Sequence, residues 1–192
     1  MFFQTALAYL PYSFVTTITP GPNNLLSFYT VSQTGWRRGK DTILGIGLGF
    51  LAVMVGCALL CRGLSVWLPA LTGALRYVGA AYLLWLAVHI ARSTPASDPA
   101  PAVSFWRAFA LQFVNPKIIL YSITVYTAYV LPVSNQWSVL LFHALWLTAL
   151  GVSGVVVWAT AGGMLQALLA RYNRPFQLVM AVLLALCAIK LL

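Results

Sequence analysis

Thr19-Pro20-Gly21-Pro22-Asn23-Asn24 stands inside an apolar segment near 4–31, and its reading decides the fold. Two prolines remove two backbone donors and the glycine between them loosens the chain, so no α-helix passes through this cluster unbroken. Half a chain length later, Val114-Asn115-Pro116-Lys117 interrupts a second apolar segment, near 105–130, at a similar depth. There Asn115 stands at an N-cap position ahead of a proline at the first helical position, which reads as a helix starting anew. Asn23 after Pro22 has similar capping character. Prolines often do no more than kink a packed membrane helix. The first cluster is more disruptive than a kink requires, and backbone groups freed in hydrocarbon cost several kcal/mol each unless protein, ligand or water meets them. Interrupted segments at corresponding places in two halves point to a transporter built from internal repeats.

The rest of the chain supplies the membrane context. Of 192 residues, 61% are hydrophobic and 7% charged, with mean hydropathy +0.90. Soluble domains carry about 25% charged residues, so a soluble domain, a disordered chain and a nucleic-acid binder are excluded. Apolar runs predict six spans, near 4–31, 42–65, 75–91, 105–130, 137–162 and 174–192. Gly35-Trp36-Arg37-Arg38-Gly39-Lys40 reads as the turn that ends the first, Pro69 falls in the second connection, and Ser93 to Pro99 is linker-like. The N-terminus lacks a basic region and a cleavage site and reads as a retained span. Three spans per half is odd, so the second half must be inverted. The expected fold is an all-α integral membrane protein, one domain over 1–192, with six transmembrane helices as two inverted three-helix repeats (about 1–92 and 104–192) and broken first and fourth helices.

The formal charge of +9 arises from 11 Lys and Arg against Asp41 and Asp98. In a polytopic protein such an excess sets orientation and touches lipid headgroups. Arg37, Arg38, Lys40, Arg92, Arg107, Arg171 and Arg174 fall on one side of the predicted map; Arg62, Arg76 and Lys190 fall on the other. The heavier side belongs in the cytoplasm, which puts both termini outside. Arg62 and Arg76 lie near span ends, where long side chains snorkel.

Lys117 is the one charge predicted deep inside a span. A lysine there costs about 2.5–3.5 kcal/mol on insertion scales, and neither acid lies in a predicted span core to pair with it. Two readings stay open: an anionic ligand group or water-filled cavity, or solvation by carbonyls or phosphate. A half-helix N-terminus carries roughly +0.5 charge and unpaired amides, so beside Lys117 it suits a carboxylate. The carbonyls released before Pro20 and Pro116 can accept from an ammonium. A small zwitterion fits such a site. Gln112 and Tyr121 can share the face of Asn115. The candidate substrate-binding residues are therefore Thr19, Pro20, Gly21, Pro22, Asn23, Asn24, Gln112, Asn115, Pro116, Lys117 and Tyr121.

Other residues read more plainly. Gly45 and Gly49 have the spacing of close helix packing; His89 and His143 read as packing or interfacial residues, and Trp67, Trp106 and Trp137 as interface anchors. Cys57, Cys61 and Cys187 are odd in number and form no CxxC, so they read as apolar packing. No catalytic carboxylate pair, metal-ligand cluster or phosphate loop is present in the sequence, and no cofactor is expected. Three functions compete: a secondary exporter, a thiol oxidoreductase using the cysteines, and a membrane assembly subunit that moves nothing.

Thr19-Pro20-Gly21-Pro22-Asn23 resembles the T-P-G-P-N signature of the LysE/RhtB family of small amino-acid exporters, and Gly35 to Gly39 resembles its G-W-R-x-G turn. Ser104-Phe105-Trp106, Ala110 to Asn115 and Lys117 to Tyr121 are similar to the branch that exports cysteine and O-acetylserine. The resemblance implies a six-span inner-membrane exporter of neutral amino acids and their metabolites, coupled to protons. Gly49-Phe50 departs from the pattern, since many members carry an acid there; the coupling residue is not read from this chain. The partners implied are a small zwitterionic amino acid, membrane lipid, protons and, as an alternative to a monomer, a homodimer.

Overall fold

A computed structural model of the chain describes residues 2–63, positions 77, 80, 81, 84, 85, 87, 88, 91 and 92, 103–165 and 173–189. Most of the predicted third span, the Ser93 to Pro99 linker, Trp67, Pro69, Arg76, His89, Asp98, Arg171 and Lys190 lie outside the described residues, as do the side chains of Arg174 and Cys187.

Regular structure among the described residues is entirely helical. Helix α1 (Phe2–Ile18) ends at the first proline cluster, and α2 (Pro22–Gly63) begins on its second proline. Helix α3 (Phe105–Leu111) tightens into a 3-10 turn over Gln112–Val114. After Asn115, α4 (Pro116–Val125) runs into a π-helical turn at Tyr126–Val130, and α5 (Trp137–Met164) and α6 (Asn173–Ile189) follow. Two described helices, Pro22–Gly63 and Trp137–Met164, are long and apolar enough to cross a membrane; the pair Phe105–Val114 and Pro116–Val130 passes the same test only when taken together, across a bend of 57°. Leu44, Leu48, Leu141, Leu145 and Val157 point outward, as lipid-facing residues of a multi-pass membrane protein do.

The expected turn over Gly35–Lys40 is shorter than the sequence suggests. Helical geometry continues on both sides of it, and Gly35 alone leaves it, at φ 71 and ψ 169. That region of backbone space is open essentially only to glycine. One residue is enough to fold the chain back: a Cβ on Gly39 would lie 2.7 Å from Val31 Cγ2, whereas residues eight apart in a straight helix are about two turns away. Thus α2 is a hairpin of two arms, 22–34 and 36–63, and the basic cluster Arg37, Arg38 and Lys40 is exposed just past its tip.

The two broken helices run antiparallel. Going up the chain from Gln112 to Tyr129, the partners on the first helix fall: Gln112 and Asn115 meet Asn23, Lys117 meets Thr19, Tyr121 meets Ser13, and Tyr129 meets Tyr9. Break therefore faces break. The second arm of α2 packs on α3 through the predicted glycine pair. A Cβ on Gly49 would come within 2.6 Å of Phe109 O, and one on Gly45 would run into Phe105 O. Helix α5 completes the bundle, and its Ser27 and Tyr9 contacts place it alongside both halves of the first broken helix. The main apolar core holds Met54, Cys57, Cys61, Val125, Tyr126, Leu140 and Leu147. At one end Arg62 sits 4.2 Å over the Trp137 ring, and Trp106 is exposed, in keeping with interface anchoring.

Gly35→Ala should lower the melting temperature of the detergent-purified protein, since the strained backbone costs on the order of 1–3 kcal/mol. Gly56→Ala, where an added methyl meets open space, is the control and should leave it unchanged or higher.

Candidate functional site

The breaks exist because Pro20 and Pro22 cannot donate and Pro116 forces Asn115 out of helical geometry, at φ −85 and ψ 101. Each break exposes the C-terminus of one helix and the N-terminus of the next. How the freed groups are met gives the site its form.

At the end of α1 the last carbonyls are met by the chain itself. Asn24 Nδ2 donates to Thr17 O and Thr19 O at 2.8 and 3.0 Å, Trp158 Nε1 donates to Ile18 O, and Lys117 Nζ donates to Thr19 O at 2.8 Å. The carbonyls before Pro20, expected to face a substrate ammonium, are thus engaged from within. Lys117 thus has a carbonyl partner, and the cation sits where a helix C-terminus favours positive charge. The lysine nevertheless lies along the cavity wall: a Cβ on Gly21 would come within 2.8 Å of its Cδ and 2.9 Å of Nζ.

The side chain of Asn115 does not cap α4, contrary to its expected role. It turns across the break instead. Asn115 Nδ2 donates to Asn23 Oδ1 at 3.2 Å, while Asn23 and Gln112 exchange a pair of bonds, Asn23 Nδ2 to Gln112 Oε1 at 2.7 Å and Gln112 Nε2 to Asn23 Oδ1 at 3.1 Å. Gln112 also donates to Ala108 O. All three amides are buried, Gln112 completely. The bonding assigns every amide group but one: Asn115 Oδ1 is buried with no hydrogen-bond partner. A buried acceptor left over in an apolar bundle costs about 1–3 kcal/mol and calls for an explanation.

Between the breaks lies a cavity of about 400 Å³, its open mouth included. First-turn residues of both half-helices line it: Pro22, Asn23 and Asn24 on one side, Lys117 and Ile118 on the other. Of the sequence-derived residues, Gly21, Asn115 and Tyr121 also face it. Tyr121 donates to Ser13 Oγ at 2.7 Å. Thr19, Pro20, Gln112 and Pro116 are not in the lining. Thr19 and Pro20 lie exposed at the rim of the break, with Thr19 Oγ1 bonded to Val15 O, and Gln112 and Pro116 are buried behind the wall. The structure adds Thr16, Thr17, Phe50, Ile118, Gly151 and Val155. The threonines one turn before the cluster were a readable signal; Phe50, Gly151 and Val155 come from distant helices and carried none.

Among the described residues no group of His, Cys, Asp and Glu could hold a metal. Cys57 and Cys61 are free thiols buried in the apolar core, and His143 is fully buried with Nδ1 2.6 Å from Tyr9 Oη.

Helices interrupted in mid-bundle around a cavity are the construction of a membrane translocator. The chain belongs to the LysE type translocator family, whose model matches residues 14–192. It is a translocator and not an enzyme. It is 41% identical, over 186 residues, to the cysteine/O-acetylserine efflux proteins of Escherichia coli strain K12 and Shigella sonnei strain Ss046, covering 96% of this chain and 95% of theirs. The protein of that name from Escherichia coli O6:K15:H31 is 40% identical over the same coverage. No solved structure matches the chain.

Asn23→Leu should lower the melting temperature by the equivalent of about 1–3 kcal/mol, because it takes the partner from Gln112 Oε1 and Asn115 Nδ2. The pair Asn23→Leu and Gln112→Leu should lose clearly less than the sum of the single losses in a double-mutant cycle; strict additivity would show that the amides act separately.

Proposed function

We propose that the protein exports small neutral amino acids or their derivatives, of the cysteine and O-acetylserine kind, across the bacterial inner membrane by alternating access. The observation that carries this reading is the cavity between the two breaks, which offers cationic and donor groups beside an acceptor that the chain leaves unbonded. The carboxylate lies against Lys117 and the first-turn amides at Asn23 and Asn24, where two half-helix N-termini add their positive ends. The ammonium is met by Asn115 Oδ1 and the Tyr121 hydroxyl oxygen. Thr19, Pro20, Gln112 and Pro116 hold the geometry of the breaks and do not touch the substrate.

The antiparallel run of the two broken helices supports an arrangement of six spans as two inverted repeats, with the substrate at their interface and the halves rocking about it. The basic tip at Arg37, Arg38 and Lys40 supports a cytoplasmic position for that end and both termini outside. Protons are the coupling ion in this reading.

The test is efflux of labelled cysteine or O-acetylserine from proteoliposomes, with and without a pH gradient. Lys117→Met should raise KM about 10- to 100-fold, the worth of one hydrogen bond to a charged group, and Lys117→Arg should recover part of it. Transport that ignores both substitutions removes the proposed site. Ligand-dependent thermal stabilisation of the parent, lost in Lys117→Met, is the companion measurement.

A further inference from the structure

We infer that Phe50 sets how large a substrate side chain the cavity accepts, an assignment that rests on the cavity being the amino-acid site. With the charged end of a zwitterion held by the polar lining, its side chain is left the apolar part, formed by Phe50, Ile118 and Val155 beside Gly151. Phe50 is the largest apolar side chain there and is 6% exposed.

Two close approaches hold it in place. The α2 backbone next to it is pressed on α3, since a Cβ on Gly49 would lie 2.6 Å from both Phe109 O and Gln112 Cγ. That contact ties Phe50 to the amide cluster joining the breaks. On the other side the ring rests on Gly151 of α5, where an added Cβ would lie 2.6 Å from Cζ and 2.7 Å from Cε2. Only a glycine at 151 leaves room for the ring in that position. A methyl there displaces the ring toward the cavity that it already lines. Close-packed interiors yield little to such changes, so the wall moves and the available length shrinks. Truncating Phe50 has the opposite effect and opens the apolar end.

The experiment compares serine, O-acetylserine and phenylalanine as substrates of the purified protein in liposomes. Phe50→Ala should raise the ratio of kcat/KM for phenylalanine over serine by about tenfold or more, the usual scale for size discrimination in an apolar pocket. Gly151→Ala should lower the ratio for O-acetylserine over serine by a similar factor. Shifts in opposite directions from two different helices are not produced by general damage, which lowers all substrates together. Phe50→Leu, with a smaller shift in the same direction, serves if the alanine variant does not fold. Folded variants that keep the parent's ratios overturn the assignment. Lys117→Met separates it from the underlying reading, because it should weaken all three substrates with the ratios unchanged; a parent that moves none of them overturns both.

Discussion

Three side-chain amides, Asn23, Gln112 and Asn115, join the two helix breaks, and the rest of the structure is arranged around that contact. In the interior of an apolar bundle an amide without a partner is expensive, whereas a paired one is specific about where its partner must be. The mutual pair between Asn23 and Gln112 fixes the depth at which the two interrupted helices meet. It also needs backbones close enough for short side chains to reach, which Gly45 and Gly49 permit by bringing α2 onto α3. A leucine in place of any of the three would pack well enough in lipid. At Asn23 it would take that partner from both of the others and free the register of the broken helices.

The second consequence concerns charge. Without the break, a lysine at position 117 would sit in hydrocarbon at prohibitive cost. With it, the last carbonyls of α1 face the ammonium, and Thr19 O receives its bond. The same lysine lies along Gly21 at the cavity wall. A cation held by carbonyls at one helix end, beside the amide ends of two others, makes the field at the cavity positive, and among the described residues its lining holds no acid. This is the electrostatic condition for drawing a carboxylate out of water. In the proposed cycle the groups assigned to the substrate belong to opposite broken helices, so rocking one against the other would separate them.

Much of this was legible in the residues. Proline chemistry alone located both breaks. Lys117 was marked out by its depth. Less accessible was the fate of the freed backbone groups. Asn115 stands at an N-cap position and local rules assign its side chain to the cap, but across the break it meets the Asn23 amide instead. Likewise the carbonyls of Thr17 and Thr19 looked available until Asn24, a few residues on, folded back on them. The turn at Gly35 was read too long, because a single glycine in a region of backbone space closed to other residues reverses the chain without a loop. Phe50 and Gly151 could not be read as neighbours at all, since their contact depends on how α2 and α5 pack and no local pattern records it.

The most direct measurement is an experimental structure of the protein in lipid nanodiscs with O-acetylserine bound. The account expects helices interrupted at 19–21 and at Asn115, with the ligand carboxylate within hydrogen-bond distance of Lys117 Nζ and its ammonium beside Asn115. Continuous helices through either position, or a ligand seated away from both breaks, would contradict it.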